Sequence, residues 1–266
     1  MSKIQKFYDD NVLKEWERLG SRHRTEFAVS LCALKEYLPI PPVKVIDIGG
    51  GPGRYSLALA ELGYEVTLVD LSAGNLAFAR RKAKTAGIHL DHSLQANAMD
   101  LSELPEESFD AAVMMGPLYH LLLLEERILA LQEARRLLKS GGLIFAAFLS
   151  RFGAFRDAAS KGAAWVLENP DTVEKILRTG IDVSEGDGFT DAYFAHPDEV
   201  IPLCESAGFQ TMMRMGCEGV VAGHESYVNS LREEQFKCWV ELNYRISQDP
   251  GAIGASDHIL YIGRKP

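Results

Sequence analysis

The chain has 266 residues, 47% hydrophobic and 24% charged, with a formal net charge of −9. Such a composition supports a sizeable folded core and excludes a disordered or fibrous chain. The acidic balance argues against a large nucleic-acid footprint or an anionic membrane surface as partner. Cys32, Cys204, Cys217 and Cys238 are scattered with no C-x-x-C pair, as expected of reduced thiols in the cytoplasm with no zinc site. Met1 to Asp10 is polar and charged, unlike a signal peptide. No run approaches the roughly 20 apolar residues of a membrane span.

Residues 3 to 38 read as one or two amphipathic helices, with Phe7, Val12, Trp16, Leu19, Phe27, Leu31, Leu34 and Leu38 at helical spacing. Pro39, Pro41 and Pro42 end that segment. From Val43 the pattern alternates. Strands are predicted near 43–48, 64–69, 89–95, 109–115 and 142–149, with helices at 54–62, 73–86 and 123–139 between them. Ser72 is placed to cap the second helix, and Lys139-Ser140-Gly141-Gly142 to stop the third. Alternation at this spacing implies an α/β fold, a parallel sheet with helices on both faces.

Residues 151–195 break the rhythm. Phe152, Phe155, Trp165, Val166 and Ile176 suggest helices, and Gly180 to Asp191, with Gly186 and Gly188, is loop-like. This stretch reads as a cap over the sheet's carboxyl edge. Pro197 to Ala207 follows as a helix, Phe209 to Met215 as a strand, 219–247 as mostly helix, and Asp257 to Gly263 as a final strand. The predicted organisation is one domain over 1–266. It comprises an N-terminal helical lid (1–42), a binding core (43–150), a helical cap insertion (151–195) and a C-terminal completion of the sheet (196–266).

The most informative stretch is Val45-Ile46-Asp47-Ile48-Gly49-Gly50-Gly51-Pro52-Gly53. A buried strand runs into a turn with glycines at alternate positions, which lets the backbone approach a ligand that a Cβ would push away. A helix follows, then a second strand ending at Asp70. The acid is placed to take two ribose hydroxyls, so the unit reads as a nucleoside-binding half. The dinucleotide fingerprint G-x-G-x-x-G does not fit: its third glycine would fall on Arg54 or Ser56. The fit is to Asp-x-Gly-x-Gly-x-Gly with Asp47 leading. A pyrophosphate would want a tight turn and a helix N-terminus aimed at it.

That pattern resembles motif I of the class I S-adenosylmethionine (SAM) methyltransferases. Three further stretches carry the same resemblance. Ser93-Leu-Gln-Ala-Asn-Ala-Met-Asp-Leu101 is similar to the family's segment bordering adenine, with Asn97 in place of the usual first Asp. Phe109-Asp-Ala-Ala-Val-Met-Met-Gly-Pro-Leu-Tyr-His-Leu-Leu122 is similar to motif IV. Leu137 to Phe145 matches the family's helix, Gly-Gly turn and fifth strand. Together they cover 43–149 and look like the methyltransferase type 11 (UbiE-like) branch.

The resemblance implies a Rossmann-like, seven-stranded, mostly parallel sheet of order 3-2-1-4-5-7-6, strand 7 antiparallel. It implies SAM as cofactor, with S-adenosylhomocysteine as product. The cofactor would be held by Asp47, Gly49, Gly51, Gly53, Asp70, Leu71, Asn97, Ala98, Met99 and Met115. From the helical preface, Tyr8, Trp16 and Arg24 would close over it, Arg24 rather than Arg22 pairing with the SAM carboxylate. His120 is the candidate general base, with Tyr119 beside it, since histidine titrates near neutral pH. Tyr193, His196, His224, Tyr227 and His258 are candidates for an acceptor pocket.

The expected activity is methyl transfer by in-line displacement to O, N, S or C of a small molecule. Alignment of the reactants can be worth up to roughly 7–11 kcal/mol, so a dedicated base is not required, although a phenol or thiol acceptor would gain from one. No carboxylate cluster stands at the predicted strand ends, so no metal is expected. Rival readings are an RNA-modifying methyltransferase, for which Arg80-Arg81-Lys82-Lys84 is the one local basic run, and a SAM-binding regulator without turnover. A nicotinamide dehydrogenase is disfavoured by Arg54 at the third-glycine position.

Overall fold

A computed structural model describes residues 2–162, 164–183 and 190–266. The N-terminal segment forms three helices: α1 (Lys3–Asp10), α2 (Val12–Arg18) and α3 (Arg24–Tyr37). Ser2 starts α1 by accepting from the Gln5 N–H at 3.1 Å. The backbone breaks at Asn11 and again over residues 19–23, so the expected one or two helices are three.

The alternating core follows as β1 (Lys44–Ile48), α4 (Arg54–Glu61), β2 (Glu65–Asp70), α5 (Ala73–Ala86), β3 (His92–Gln95), β4 (Phe109–Met114), α6 (Leu124–Leu137) and β5 (Leu138–Ser150). Ser72 caps α5, its Oγ accepting from Asn75 N–H at 3.0 Å, and Gly87 at φ +68° closes it. The Gly-Gly stop works differently from expectation. Helix α6 ends at Leu137, and Leu138 is already extended. Residues 139–142 belong to β5, where Gly141 at φ +78° accompanies a register slip against β4 between Phe109 and Ala111. The backbone of Lys265 pairs with this bend, donating to Gly142 O and accepting from Gly141 N–H, both at 2.9 Å. Those partners favour a kinked strand over a helix cap.

Beyond β5 lie α7 (Arg151–Lys161), α8 (Trp165–Glu168), α9 (Pro170–Thr179), β6 (Ile181–Asp182) and β7 (Ala192–Ala195). The insertion is therefore not helical throughout. β7 extends the sheet alongside the end of β5, pairing Leu149 with Phe194 and Ser150 with Ala195. Arg151 fastens it, with Nη2 donating to both Glu199 carboxylate oxygens at 2.9 Å and Nε to Phe194 O at 3.2 Å. Gly186 and Gly188 lie outside the described residues. The chain then runs through α10 (Pro197–Ser206), β8 (Gln210–Gly216), α11 (Glu225–Asn229), α12 (Glu233–Ile246), α13 (Pro250–Ala255) and β9 (His258–Arg264).

β3, β2, β1, β4 and β5 are parallel neighbours in that order. β9 lies antiparallel between β5 and β8. This is the expected seven-strand order with the last strand reversed. Strand alternation divides the core in two: Ile46, Ile48 and Met114 face α6 and α10, while Val45, Val113 and Phe145 face α3 and α12. Among the described residues, no helix is long and apolar enough to cross a membrane.

Candidate active site

The carboxyl ends of β1, β2 and β4 open into a cavity of ≈ 300 Å³, walled on the far side by α1, α2 and the start of α3. In an open parallel sheet this is where ligands bind. The turn after β1 forms its floor. Gly49, Gly51 and Gly53 have φ of +67°, +58° and +86°, a region that a side chain rarely tolerates. Gly49 and Gly50 donate to Val69 O at 2.7 and 3.1 Å, which ties the turn to β2.

Gly50 is a fourth constraint that the alternate-glycine pattern does not reveal. A Cβ there would lie 2.4 Å from Asp47 Oδ2 and 2.5 Å from Leu68 Cδ1. The turn thus rests directly on the side chain of Asp47. That carboxylate is fully buried and accepts from Ser56 Oγ at 2.6 Å, while its Oδ1 has no hydrogen-bond partner. Burial, with Asp70 nearby, pushes its pKa up to about 7. Asp47 does not line the cavity, because strand alternation turns it beneath the loop; the expected cofactor contact becomes a prop. Gly53 is also outside the lining. It is the N-cap of α4, and a Cβ there would sit 2.9 Å from Ala79 Cβ, so it permits close packing of α4 and α5.

Asp70 faces the cavity from the end of β2 and is 7% exposed. One oxygen accepts from Gly51 N–H at 2.8 Å; the other accepts from Ser72 N–H at 2.8 Å and Asn75 Nδ2 at 3.2 Å. Its orientation is therefore set by the turn and by the cap of α5. Burial raises its pKa from the ordinary value. Leu71, Asn97, Ala98 and Met99 line the adjacent wall. Asn97 Oδ1 accepts from Met99 N–H at 3.0 Å, so this side chain holds its own turn.

At the other end, Met115, Gly116, Pro117, Tyr119 and His120 line the cavity. Tyr119 and His120 belong to the 3-10 turn Pro117–His120 after β4. His120 Nε2 lies 2.6 Å from Tyr8 Oη, and Nδ1 lies 3.0 Å from Thr190 Oγ1 and 3.4 Å from Asp191 O. A carbonyl only accepts, which favours the tautomer with Nδ1–H and Tyr8 donating to Nε2. Burial lowers the His120 pKa to about 4, so it is neutral at pH 7. Burial also raises the phenols of Tyr8 and Tyr119, which stay protonated.

The expected arginine is not where the helix spacing suggests. Arg24 turns away to α11 and α12: it donates to Asn229 O at 3.0 Å, pairs with Glu233 and stacks 3.7 Å over the Phe236 ring. Arg22 pairs with Asp157 at 3.4 Å. Arg18 lines the cavity instead, with Glu15 at 3.0 Å and Glu26 at 3.5 Å. The breaks at Asn11 and 19–23 reset the helix phase, and only the Glu15–Arg18 spacing of three hinted at this face. Trp16 stacks under Arg54, with the guanidinium 4.0 Å from the ring centroid, and is not a lid residue.

None of the five acceptor candidates lines the cavity. Tyr193 donates to Glu199 at 2.6 Å beneath Arg127, and His196 caps α10 by accepting from Asp198 N–H at 3.2 Å. His224 stands at the start of α11, and Tyr227 is 70% exposed. His258 is buried between Glu218 and Glu26. The basic run on α5 also has structural partners: Arg81 and Lys82 lie over Phe78, Lys82 also over Trp16, and Arg80 donates to Ser93.

Residues 46–146 match the methyltransferase domain family. A ubiquinone biosynthesis O-methyltransferase of Ruegeria is 30% identical over 183 residues, 69% of this chain and 66% of that protein. One of Xanthomonas campestris is 32% identical over 127 residues, 48% of this chain and 52% of that protein. The matches thus span between about half and two thirds of these relatives' length. Among solved structures, a SAM-dependent methyltransferase of Thermotoga maritima superposes with a TM-score of 0.62 at 23% identity, covering 98% of this chain and 99% of that one. One from Methanosarcina mazei gives 0.61 at 19% identity, over 88% and 96% of the two chains. These two show the fold. From the strand order, the glycine turn with Asp70 and the family match, the chain carries over residues 46–146 a segment similar to the methyltransferase domain, on a sheet of the same fold as solved SAM-dependent methyltransferases.

Proposed function

We propose that this chain transfers a methyl group from SAM to a hydroxyl oxygen of a small molecule. The observation that carries this reading is the pairing at one cavity of a nucleoside end, Asp70 with the glycine turn, and a proton-accepting end, His120 with Tyr8. The residues fit the cofactor. The bare backbone of Gly49 to Gly51 leaves room for its tail, Asp70 suits the ribose hydroxyls, and Leu71 and Met99 offer apolar contact to a flat ring. Of the two arginines that line the cavity, Arg18 and Arg54, Arg18 is the candidate for the amino-acid carboxylate, since Arg54 is held over the Trp16 ring. The cavity lies at the lower end of ordinary small-ligand sites.

Bound SAM supplies an electrophilic methyl on a sulfonium; the protein supplies alignment and a proton path. Alignment is worth up to roughly 7–11 kcal/mol. As the acceptor oxygen gains the methyl, its proton becomes strongly acidic, so a base as weak as His120 suffices. The Tyr8 hydroxyl, 2.6 Å from Nε2, can pass that proton inward while the contacts of Nδ1 keep the ring oriented. Oxygen as the acceptor atom is supported by the names of the curated relatives, which are O-methyltransferases.

The test is calorimetric titration with SAM and with NAD, followed by incubation with methyl-labelled SAM and a panel of phenols, catechols, thiols and amines. SAM binding with label on a hydroxyl compound supports the proposal. Label confined to thiols or amines refutes the acceptor assignment, and NAD binding without SAM binding refutes the whole reading.

A further inference from the structure

Behind the Arg18 wall, two histidines and a carboxylate from opposite ends of the chain converge. His23 stands at the N-cap of α3 and Glu26 in its first turn, while His258 begins β9. His258 Nε2 is 3.6 Å from Glu26 Oε2, and His23 Nδ1 is 3.8 Å from the same oxygen. The three donor atoms all lie within 4.8 Å of one another. His23 Nδ1 and Glu26 Oε2 are buried without a hydrogen-bond partner, and Glu26 is only 3% exposed. Buried polar atoms without a hydrogen bond are costly, and here they face one another.

We propose that His23, Glu26 and His258 form a binding site for a divalent transition metal of the zinc type. Two imidazoles and a carboxylate are a ligand set that such ions favour. Bonds of about 2.0–2.2 Å in a tetrahedral arrangement set donors roughly 3.3–3.6 Å apart. The two pairs at Glu26 need to close by only a few tenths of an ångström.

The surroundings support a metal over an ordinary ion pair. Glu218, fully buried, holds His258 Nδ1 at 2.6 Å, and its other oxygen accepts the backbone N–H groups of Asp257 and His258 at 3.0 and 2.9 Å. A carboxylate on the far nitrogen of a ligating histidine is the arrangement that fixes the tautomer and raises ligand basicity at metal sites. Acid is in surplus. Glu15 and Glu26 flank Arg18, and Glu26 and Glu218 flank His258, all three carboxylates buried. A divalent cation at the three donors would offset buried carboxylate charge. Arg18 Nη1, 3.5 Å from Glu26 Oε2, remains engaged by Glu15 on its other side.

Because Glu26 also lines the cavity, a metal here would tie the cavity's helical wall to the sheet. The inference is independent of which acceptor is methylated.

The test is titration of the full-length chain, stripped with chelator, with Zn²⁺ and with Co²⁺ as a spectroscopic probe, in a Cys238→Ser background that removes the exposed thiol. One equivalent should bind, with cobalt absorption of a nitrogen and oxygen ligand set and no thiolate charge-transfer band. Binding should also raise Tm. His23→Ala, at the most accessible ligand, should weaken binding at least 100-fold with far-UV circular dichroism unchanged. Glu218→Gln should weaken it about 10–100-fold. If His23→Ala fails to fold, Glu218→Gln decides alone. No binding to the parent, a thiolate spectrum, or equal affinity in parent and variants overturns the proposal.

Discussion

Replacing Asp70 by alanine tests the nucleoside end of the site most directly. The carboxylate organises three donors: Gly51 N–H, Ser72 N–H and Asn75 Nδ2, at 2.8, 2.8 and 3.2 Å. Hydrogen bonds to a charged acceptor contribute about 1.5–3 kcal/mol each. Losing two bonds to ribose hydroxyls therefore removes about 3–6 kcal/mol of SAM binding, and 1.4 kcal/mol is tenfold in Kd. The lower bound already predicts a loss of more than about 100-fold. The alanine also orphans two backbone N–H groups at about 1–3 kcal/mol each, unless water enters the vacated space. A fall in Tm should accompany the loss of affinity. Asp70→Asn keeps the shape but presents a single oxygen to donors that now flank both positions, so it should sit between wild type and alanine. The assay is calorimetric titration of SAM into all three proteins, with circular dichroism to establish that each is folded. A folded alanine variant binding SAM within threefold of wild type would refute the assignment of Asp70 and of the turn it holds.

Further outcomes follow from the geometry at three positions, His120, Asp47 and Gly50. His120→Ala should lower kcat by about 10²-fold, at the weak end for a proton-transfer group, with SAM affinity within threefold; an unchanged kcat would remove His120 from the chemistry. Its pKa of about 4, below the ordinary histidine value, places the acid limb of the rate profile near pH 4. Because the unfolded chain binds the proton more tightly, the His120 contribution to stability is lost as pH falls from about 6.5 toward 4, and denaturant titrations of His120→Asn should lack that loss. Asp47 works in the opposite sense. With its folded pKa raised to about 7, its contribution is fully present below the ordinary carboxylate value and is lost as pH rises through about 7. Asp47→Asn, keeping the bond from Ser56, should therefore gain relative to wild type between pH 4 and 8, by up to about 4 kcal/mol; a pH-independent difference in denaturation midpoint would contradict this. Gly50→Ala should destabilise by about 1–3 kcal/mol through overlap with Asp47 and Leu68, seen as a lower Tm, while a neutral effect would mean that the turn shifts freely.

Much of this molecule is legible in the chain because the governing interactions are local. The strand, the glycine turn and the following helix depend on residues within a few positions of one another, so Gly49, Gly51, Asp70 and the Ser72 cap could be read directly. The alternation of elements further constrains the parallel order, since crossover connections leave few topologies. What stayed hidden depends on phase and on long-range convergence. Arg18 rather than Arg24 reaches the cavity because two breaks reset the helix face, and Asp47 lies under the turn because alternation along β1 points it there. Gly141 bends a strand because Lys265, from the far end of the chain, supplies its backbone partners. Thr190 meets His120, and His23 and Glu26 meet His258, only because insertion, helices and final strand are packed together. Local backbone chemistry is written in neighbouring residues. Which side chains share a space is decided by burial of the whole core, and no spacing motif carries that information.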